Sequence, residues 1–279
     1  MRQMQCFGRY QSRISENIGR DFTWNLQIHY LNPVDGGTKI LYVGEVTREE
    51  KKRIRDKRRN ELTYKDIREN REVLAYLKKG NDNLGTMGFT DHSGAHCAMV
   101  AERAAMILEK FGYSEHDREV ARIAGFMHDM GNAINRHRHA EYGALLAEQI
   151  LSRTDLPLED RVTVVSAIGN HDESTGGAVD AISAALIIAD KTDVRRNRVR
   201  NKDKASFDIH DRVNYAVTEA RLTVCPEKKL VTLDLQIDED ICSMLEYFEI
   251  FLERMLMCRR ASEMLGAKFK MTANGSKIV

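Results

Sequence analysis

The 279-residue sequence is poor in cysteine, proline and tryptophan, with five cysteines, three prolines and one tryptophan. The cysteines are scattered and form no C-x-x-C pair, which argues against a disulfide framework and a thiolate zinc site. The longest apolar run, residues 181–189, is far shorter than the roughly 20 residues that cross a bilayer. The first residues lack the sustained apolar segment of a secretion signal. We therefore expect a soluble, cytoplasmic protein.

An excess of charge of one sign is also lacking. The 43 Lys and Arg residues against 42 Asp and Glu residues leave a net charge of +1. A molecule without a large field of one sign is not expected to bind nucleic acid or a membrane surface. Any site for an anion must then be local.

Apolar spacing and turn residues divide the chain into four segments. Residues 1–46 form an N-terminal extension without a clear pattern of regular structure. Residues 47–90 are expected to form charged helices, and residues 91–205 a helical domain broken by short polar or glycine-containing turns. Residues 206–279 are expected to form a small α+β element. The predicted fold class is thus mainly α, a helical bundle with a small C-terminal α+β element.

Two capping boxes predict helix starts in the second segment, Thr47-x-x-Glu50 and Thr63-x-x-Asp66. The helix after Thr63 is expected to end near Gly80, in the sequence Gly-Asn-Asp-Asn. The residues expected to face inward on this helix are Ile67, Val73, Leu74 and Leu77.

The periodicity changes near Arg221. After a turn at Pro226, residues 230–237 alternate between apolar and polar side chains. This alternation predicts a β-hairpin. A long helix from Asp238 to Leu265 is expected next. A tight turn is predicted at Asn274-Gly275.

Histidine is concentrated in the middle of the chain, since seven of the nine histidines lie between His92 and His171. Several stand where the apolar stripe of a helix should continue, and Asp190 does the same in AISAALIIAD. An unpaired carboxylate is costly to bury, so a cation should meet it. One histidine on an apolar face is usually a hydrogen-bonded core residue. Four histidines and two aspartates on five consecutive helices, however, predict a metal centre. The six candidate ligands are His96, His128, Asp129, His139, His171 and Asp190.

The mixture of imidazole and carboxylate predicts the kind of metal. It suits divalent Fe, Mn, Zn, Co or Ni rather than Ca or Mg. Six ligands, with Asp129 among them, exceed the needs of one tetrahedral ion. They would serve two ions about 3.5 to 4 Å apart.

These residues resemble the signature of the HD superfamily of metal-dependent phosphohydrolases. The matching motifs are His96, with Val100 and Ala101 following it, then His128-Asp129-Met130-Gly131, and Asp190 in Ile-Ile-Ala-Asp-Lys. The segments around His139 and His171 are similar to those of the two-metal branches, such as the HD-GYP phosphodiesterases and the bacterial diadenosine tetraphosphate hydrolases. The resemblance covers residues 91 to about 200.

The resemblance implies a role for each motif residue. It implies that His96, His128, Asp129 and Asp190 bind one metal, that Asp129 bridges to a second, and that His139 and His171 complete the pair. The chain departs from the HD-GYP pattern at Asn132, where that group has lysine, and after His171, where the second histidine and the GYP element are missing. Cyclic di-GMP is therefore not implied as the substrate.

Several basic side chains are candidates for substrate binding. His92 lies one helical turn before His96, and His137 lies between Arg136 and Arg138. Just past Asp190, the residues Lys191, Arg195 and Arg196 begin a basic run. Such a run is either a solvated face or a phosphate clamp, because the arginine fork matches phosphate oxygens. The sequence leaves both alternatives open.

The predicted reaction is hydrolysis of a phosphomonoester or phosphodiester in a nucleotide or a nucleotide-derived signal. We expect a hydroxide that bridges the two metals to attack phosphorus, with Asp129 and His128 as catalytic residues. The alternative is a non-catalytic nucleotide-binding sensor that retains the metal centre. The enzyme is favoured because every ligand position is filled. The expected partners are a small phosphorylated substrate and a second copy of the chain, bound through the C-terminal element.

Overall fold

The computed structural model describes the backbone of residues 28–31 and 39–42, and residues 62–278 without the side chain of Lys204. The chain divides into two units, residues 1–60 and 61–279. In the first unit, strands β1 (Ile28–Leu31) and β2 (Lys39–Tyr42) pair antiparallel. The helix predicted to begin at Thr47, and the boundary at residue 46, lie outside the described residues.

The described part of the second unit begins with a bundle of α-helices. A 3-10 turn, His128–Ala133, follows the fourth helix without a break. The helices are α1 (Tyr64–Glu69), α2 (Arg71–Thr86), α3 (Gly94–Lys110), α4 (Glu115–Met127), α5 (His139–Leu151), α6 (Leu158–Gly169), α7 (Ala181–Lys191) and α8 (Ile209–Ala216).

A small sheet and one long helix complete this unit. The sheet has the strand order β3-β4-β5-β6, in which β4 and β5 are parallel and the other pairs are antiparallel. Helix α9 connects the two parallel strands. The bounds are β3 (Val217–Cys225), β4 (Leu230–Ile237), α9 (Met244–Met264), β5 (Lys268–Ala273) and β6 (Ser276–Lys277). The predicted fold class, mainly α with a small α+β element, is confirmed.

The segment after Thr63 forms two helices, so the prediction of one helix was wrong. The predicted capping box is present, since the Thr63 amide donates to Asp66 Oδ2 at 2.9 Å. At Asn70, however, the backbone becomes extended (φ −68°, ψ 118°). The Asn70 side-chain oxygen accepts a hydrogen bond from the Glu72 amide at 2.9 Å. It therefore caps a second helix and ends the first.

Helix α2 also corrects two details of the prediction. It continues through Gly80 to Thr86, and Leu74 is 42% exposed rather than facing inward. Gly80 is buried, and a Cβ atom there would lie 3.1 Å from the Ala133 nitrogen. Glycine at this position therefore lets helix α2 pack closely against the 3-10 turn that carries His128.

The C-terminal predictions hold except at the start of the long helix. The hairpin forms with Leu222 opposite Leu233, and Asn274-Gly275 makes a turn in which both residues have positive φ. Helix α9 begins at Met244 rather than Asp238, because Ser243 and Glu246 form a capping box. The pairing of β5 with β4 was not predicted, since a parallel partner beyond a helix leaves no local signal.

One continuous core joins the helices to the sheet. Leu186 on α7, Phe251 on α9 and Leu233 on β4 are all buried in the same cluster. The C-terminal element thus shares its core with the bundle. No helix in the described residues combines the length and apolar character that a membrane span needs.

Candidate metal centre

The structure brings the six predicted side chains together at one end of the bundle. Adjacent imidazole rings pack edge to face, with centroids 5.4 Å apart for His96 and His128, 5.0 Å for His128 and His171, and 4.9 Å for His139 and His171. Asp129 lies beside them with its side chain 3% exposed, and the Asp190 side chain is 12% exposed. Six groups distant in sequence therefore form one buried polar cluster.

Glycine permits the closest backbone approach at this site. A Cβ atom on Gly131 would lie 1.9 Å from the His139 carbonyl oxygen and 2.5 Å from the Gly143 nitrogen. On Gly143 it would lie 2.9 Å from the His128 carbonyl oxygen. These glycines let the turn that carries His128 and Asp129 lie directly against the helix that begins with His139.

Each histidine of the cluster has its Nδ1 atom beside an acceptor. A carbonyl oxygen only accepts hydrogen bonds, so Nδ1 carries the proton in those contacts and Nε2 keeps its lone pair. The contacts are His128 with Gly125 O (2.8 Å), His139 with Arg136 O (3.2 Å), His171 with Ile168 O (2.6 Å) and His96 with Asp193 Oδ2 (2.8 Å).

Within the described residues, the Nε2 sides of three of these rings lack hydrogen-bond partners. The Nε2 atoms of His96, His128 and His171 and the Oδ2 atom of Asp129 are buried without a hydrogen bond in the described part of the chain. Leaving such atoms unpaired costs about 1–3 kcal/mol each. Asp129 Oδ2 lies 3.4 Å from His128 Nε2 and 3.8 Å from His96 Nε2. Lone pairs that converge on one point in this way suit a divalent cation.

The donor atoms form two groups, and Asp129 lies between them. His96, His128 and Asp190 offer atoms within 4.8 Å of one another, and so do Asp129, His139 and His171. Asp129 Oδ2 faces the first group, and its Oδ1 lies 3.9 Å from His139 Nε2 in the second. Asp129 is therefore placed to serve both groups.

Cys97, His128 and Asp129 form a third possible group. The thiolate is the form of cysteine that binds metals. Burial raises the pKa of the Cys97 thiol well above its usual range, with Asp129 adding to the effect. Cys97 is thus a poorer ligand than the carboxylates around it.

The electrostatics favour neutral imidazole in the second group and ionised carboxylates throughout. Burial lowers the pKa of His139 to about 4 and that of His171 to about 3. Burial alone would raise the pKa of Asp129, but the neighbouring histidines, His128 foremost, hold it well below its usual range. The same holds for Asp190, where Lys191 contributes most.

Sequence reasoning missed two residues that support the cluster. Asp193 is buried behind His96, and Asn132 donates to Asp129 Oδ1 at 2.8 Å. The position of Asp193, three residues or about one helical turn after Asp190, was a signal for it. The sequence marked Asn132 only as a departure from the HD-GYP pattern, because its contact with Asp129 depends on the 3-10 geometry of the turn.

The predicted substrate-binding residues are placed differently. His92 packs its ring 5.6 Å from that of His96, and its Nδ1 lies 2.8 Å from the Thr90 carbonyl oxygen. Lys191 is buried and pairs with Asp190 at 2.9 Å and with Glu173 at 2.7 Å. Neither side chain faces the open cleft described below.

The guanidinium groups of Arg195 and Arg196 are bound to other parts of the fold. Arg195 donates to Asp193 Oδ2 at 3.0 Å, and Arg196 stacks 4.5 Å from the centre of the Tyr215 ring. Arg196 also lies 3.4 Å from Asp238. Their role as a phosphate clamp stays a prediction, and these contacts do not favour it.

A cleft of about 1050 Å³ opens beside the second group. Asn132 and Asp172 line it, and Asp172 Oδ2 lies 3.6 Å from His139 Nδ1. The basic residues lining it are Lys79, Arg136, His137 and Arg138, and the apolar residues lining it are Met87, Phe89 and Ile134. Of the predicted substrate contacts, His137 therefore lies at this cleft.

Comparisons with known proteins agree with this geometry. The HD domain family matches residues 94–212, a range that contains all six clustered side chains. An uncharacterized protein of Methanocaldococcus jannaschii is 28% identical over 173 residues, which cover 53% of this chain. The match spans 66% of that relative's length. Residues 94–212 therefore match the HD domain, the fold of a superfamily of metal-dependent phosphohydrolases.

Proposed function

We propose that this protein hydrolyses a phosphomonoester or phosphodiester of a nucleotide or a nucleotide-derived signal, with two divalent metal ions as cofactors. The observation that carries the proposal is the set of buried Nε2 and Asp129 Oδ2 atoms that converge without hydrogen-bond partners among the described residues. A purely structural bundle would leave those atoms unsatisfied. A divalent cation satisfies them.

The two donor groups define the proposed ligands. His96, His128 and Asp190 would hold one ion, His139 and His171 the other, and Asp129 would bind both through its two oxygens. Ions bound here would be Mn, Fe, Zn, Co or Ni, as the donors require. Such ions supply a water of lowered pKa and stabilise charge on the phosphoryl oxygens.

The residues of the chain fix this arrangement before any ligand binds. The Nδ1 contacts hold the rings so that each Nε2 faces the cluster. Asn132 holds Asp129 Oδ1, and burial excludes bulk water from the donor atoms. Preorganised ligands and a protected site support catalysis, because no reorganisation is needed at the moment of reaction.

The cleft supports the choice of a nucleotide-like substrate. Among the described residues, no carboxylate lies within ion-pair distance of Lys79, Arg136 or Arg138. Cations without a carboxylate partner suit phosphate oxygens. Phe89, 39% exposed, lies under the Arg136 guanidinium at 5.5 Å and offers a face for an aromatic base. A phosphate ester with an aromatic moiety would use both features.

Metal analysis and a substrate screen test the proposal. Protein purified without a histidine tag should contain two transition metal ions per chain. With Mn or Fe present, it should release phosphate or a nucleoside phosphate from at least one nucleotide or cyclic dinucleotide, and the Asp129→Ala variant should release none. A protein that binds nucleotide and metal but hydrolyses nothing would instead be the sensor. Dimerisation through the C-terminal element stays a prediction that sedimentation would test.

A further inference from the structure

A row of alternating charges connects helix α9 to Asp190. Arg254 Nε lies 2.9 Å from Glu173 Oε1, and Glu173 Oε2 lies 2.7 Å from Lys191 Nζ. Lys191 Nζ lies 2.9 Å from Asp190 Oδ2. The four side chains come from α9, the segment after α6, and the end of α7. The row therefore joins the C-terminal element to the metal centre.

The row is largely removed from solvent. The exposed fraction is 5% for the Lys191 side chain, 21% for Glu173 and 25% for Arg254. The Arg254 guanidinium also lies 4.9 Å from the centre of the ring of Phe251, which is buried. Opposite charges that are shielded from water hold each other in place more firmly than surface pairs do.

The row determines which oxygen of Asp190 faces the histidines. Lys191 Nζ pairs with Asp190 Oδ2, whereas Asp190 Oδ1 lies 3.3 Å from His96 Nε2 and 3.7 Å from His128 Nε2. Lys191 is itself held on its other side by Glu173. Without that second carboxylate, Asp190 would be the remaining partner of Lys191, and Nζ could shift from Oδ2 toward Oδ1 and compete with a cation there.

We propose that Arg254 is a positioning residue for the metal centre, acting through Glu173 and Lys191 to present Asp190 Oδ1 to the group formed with His96 and His128. This inference rests on the proposed function for the presence of metal ions. It gives the C-terminal element a part in metal binding. It also confines the effect of Arg254 to one of the two ions, because Asp190 belongs to one donor group.

Simple electrostatics makes the opposite prediction, which allows a clear test. Removing a positive charge near a cation site should strengthen cation binding if Arg254 acts only through its field. Removing a residue that positions a ligand should weaken binding, and the loss of such supporting contacts typically costs 10- to 100-fold in metal affinity. The direction of change in Arg254→Gln therefore separates the two roles.

The experiment is a calorimetric titration of the full-length, metal-free protein with Mn²⁺. In Arg254→Gln, one of the two binding steps should weaken about tenfold and the other should stay unchanged. His96→Ala identifies the affected step, since it removes a ligand of the same group. Arg254→Lys, which keeps a charged donor, should recover part of the loss. Arg259→Gln removes the same charge from an exposed position on α9 and should change neither step.

Folding of each variant is checked by circular dichroism and thermal unfolding in the presence of a chelator. If Arg254→Gln does not fold, Glu173→Gln interrupts the same row from the segment after α6. It should weaken the same step alone. Equal losses at both steps, unchanged affinity, or tighter binding in the folded variant would overturn the inference.

The result also distinguishes this inference from the proposed function. A wild-type protein that binds no divalent metal overturns both. A protein that binds metal in two steps but hydrolyses no phosphate ester overturns the proposed function alone, and the response of the Arg254 variants still decides the role of the row.

Discussion

The Nδ1 atom of His96 lies 2.8 Å from Asp193 Oδ2, across 97 positions of sequence. Asp193 has no exposed side-chain surface and also pairs with Arg198 at 3.4 Å. The carboxylate holds the His96 ring in the orientation that turns Nε2 toward Asp129 and Asp190. A histidine held by a carboxylate in this way is a more basic metal ligand.

We expect Asp193→Asn to weaken metal binding by about 10- to 100-fold, because the amide no longer fixes the His96 tautomer. It also leaves the buried Arg198 with less compensating charge, so the free energy of unfolding should fall. Titration with Mn²⁺ and urea unfolding measure the two effects. Asp240→Asn, at an exposed position, is the matched control. An affinity equal to that of the wild type would show that Asp193 does not orient His96.

The two donor groups predict metal stoichiometry. His139→Ala or His171→Ala should lower the metal content from two ions per chain toward one, since each removes a ligand of the second group. Asp129→Ala should lose more metal than His128→Ala, because Asp129 lies between the groups, and both should abolish hydrolysis. Elemental analysis after gel filtration measures the content. Two ions per chain in both the His139→Ala and the His171→Ala variants would contradict a two-metal centre.

Gly131→Ala should disrupt the cluster through its backbone. The added methyl group would meet the His139 carbonyl oxygen at 1.9 Å, so the turn and α5 must move apart. Overpacking typically costs about 1–3 kcal/mol, and we expect urea unfolding to show a loss at the upper end of that range together with reduced metal content. Gly177→Ala, where nothing lies within 4 Å, should be nearly neutral. Similar stability of the two variants would rule out the close packing.

Two neighbouring lysines, Lys78 and Lys79, test whether the cleft binds the substrate phosphate. Lys79 lines the cleft, whereas Lys78 pairs with Asp82 at 2.6 Å and does not line it. Lys79→Gln should raise KM roughly threefold to tenfold, as expected for a partly solvated charge on a phosphate. Metal content should be unchanged, and Lys78→Gln should leave KM unaltered. Steady-state kinetics on the substrate found by screening measures both, and equal effects would indicate only a general field.

The sequence by itself determined which residue types stand on the buried faces of the helices. The period of 3.6 residues placed His96 in line with apolar positions, and the motif around His128 carried the resemblance to the HD superfamily. The alternation in residues 230–237 determined the hairpin in the same way. These features are readable because burial repeats with the period of the local backbone.

Only the tertiary structure decided what those side chains contact. Asp193 behind His96, and Arg254 behind Glu173, are pairs separated by 97 and 81 positions, and no local pattern links them. Nor could the sequence show that Arg195 pairs with Asp193 and Arg196 stacks on Tyr215, while Lys79 and Arg138 line one cleft. A charged residue past the end of a helix can point to several neighbours, and the packing of the helices around it determines which of them it reaches.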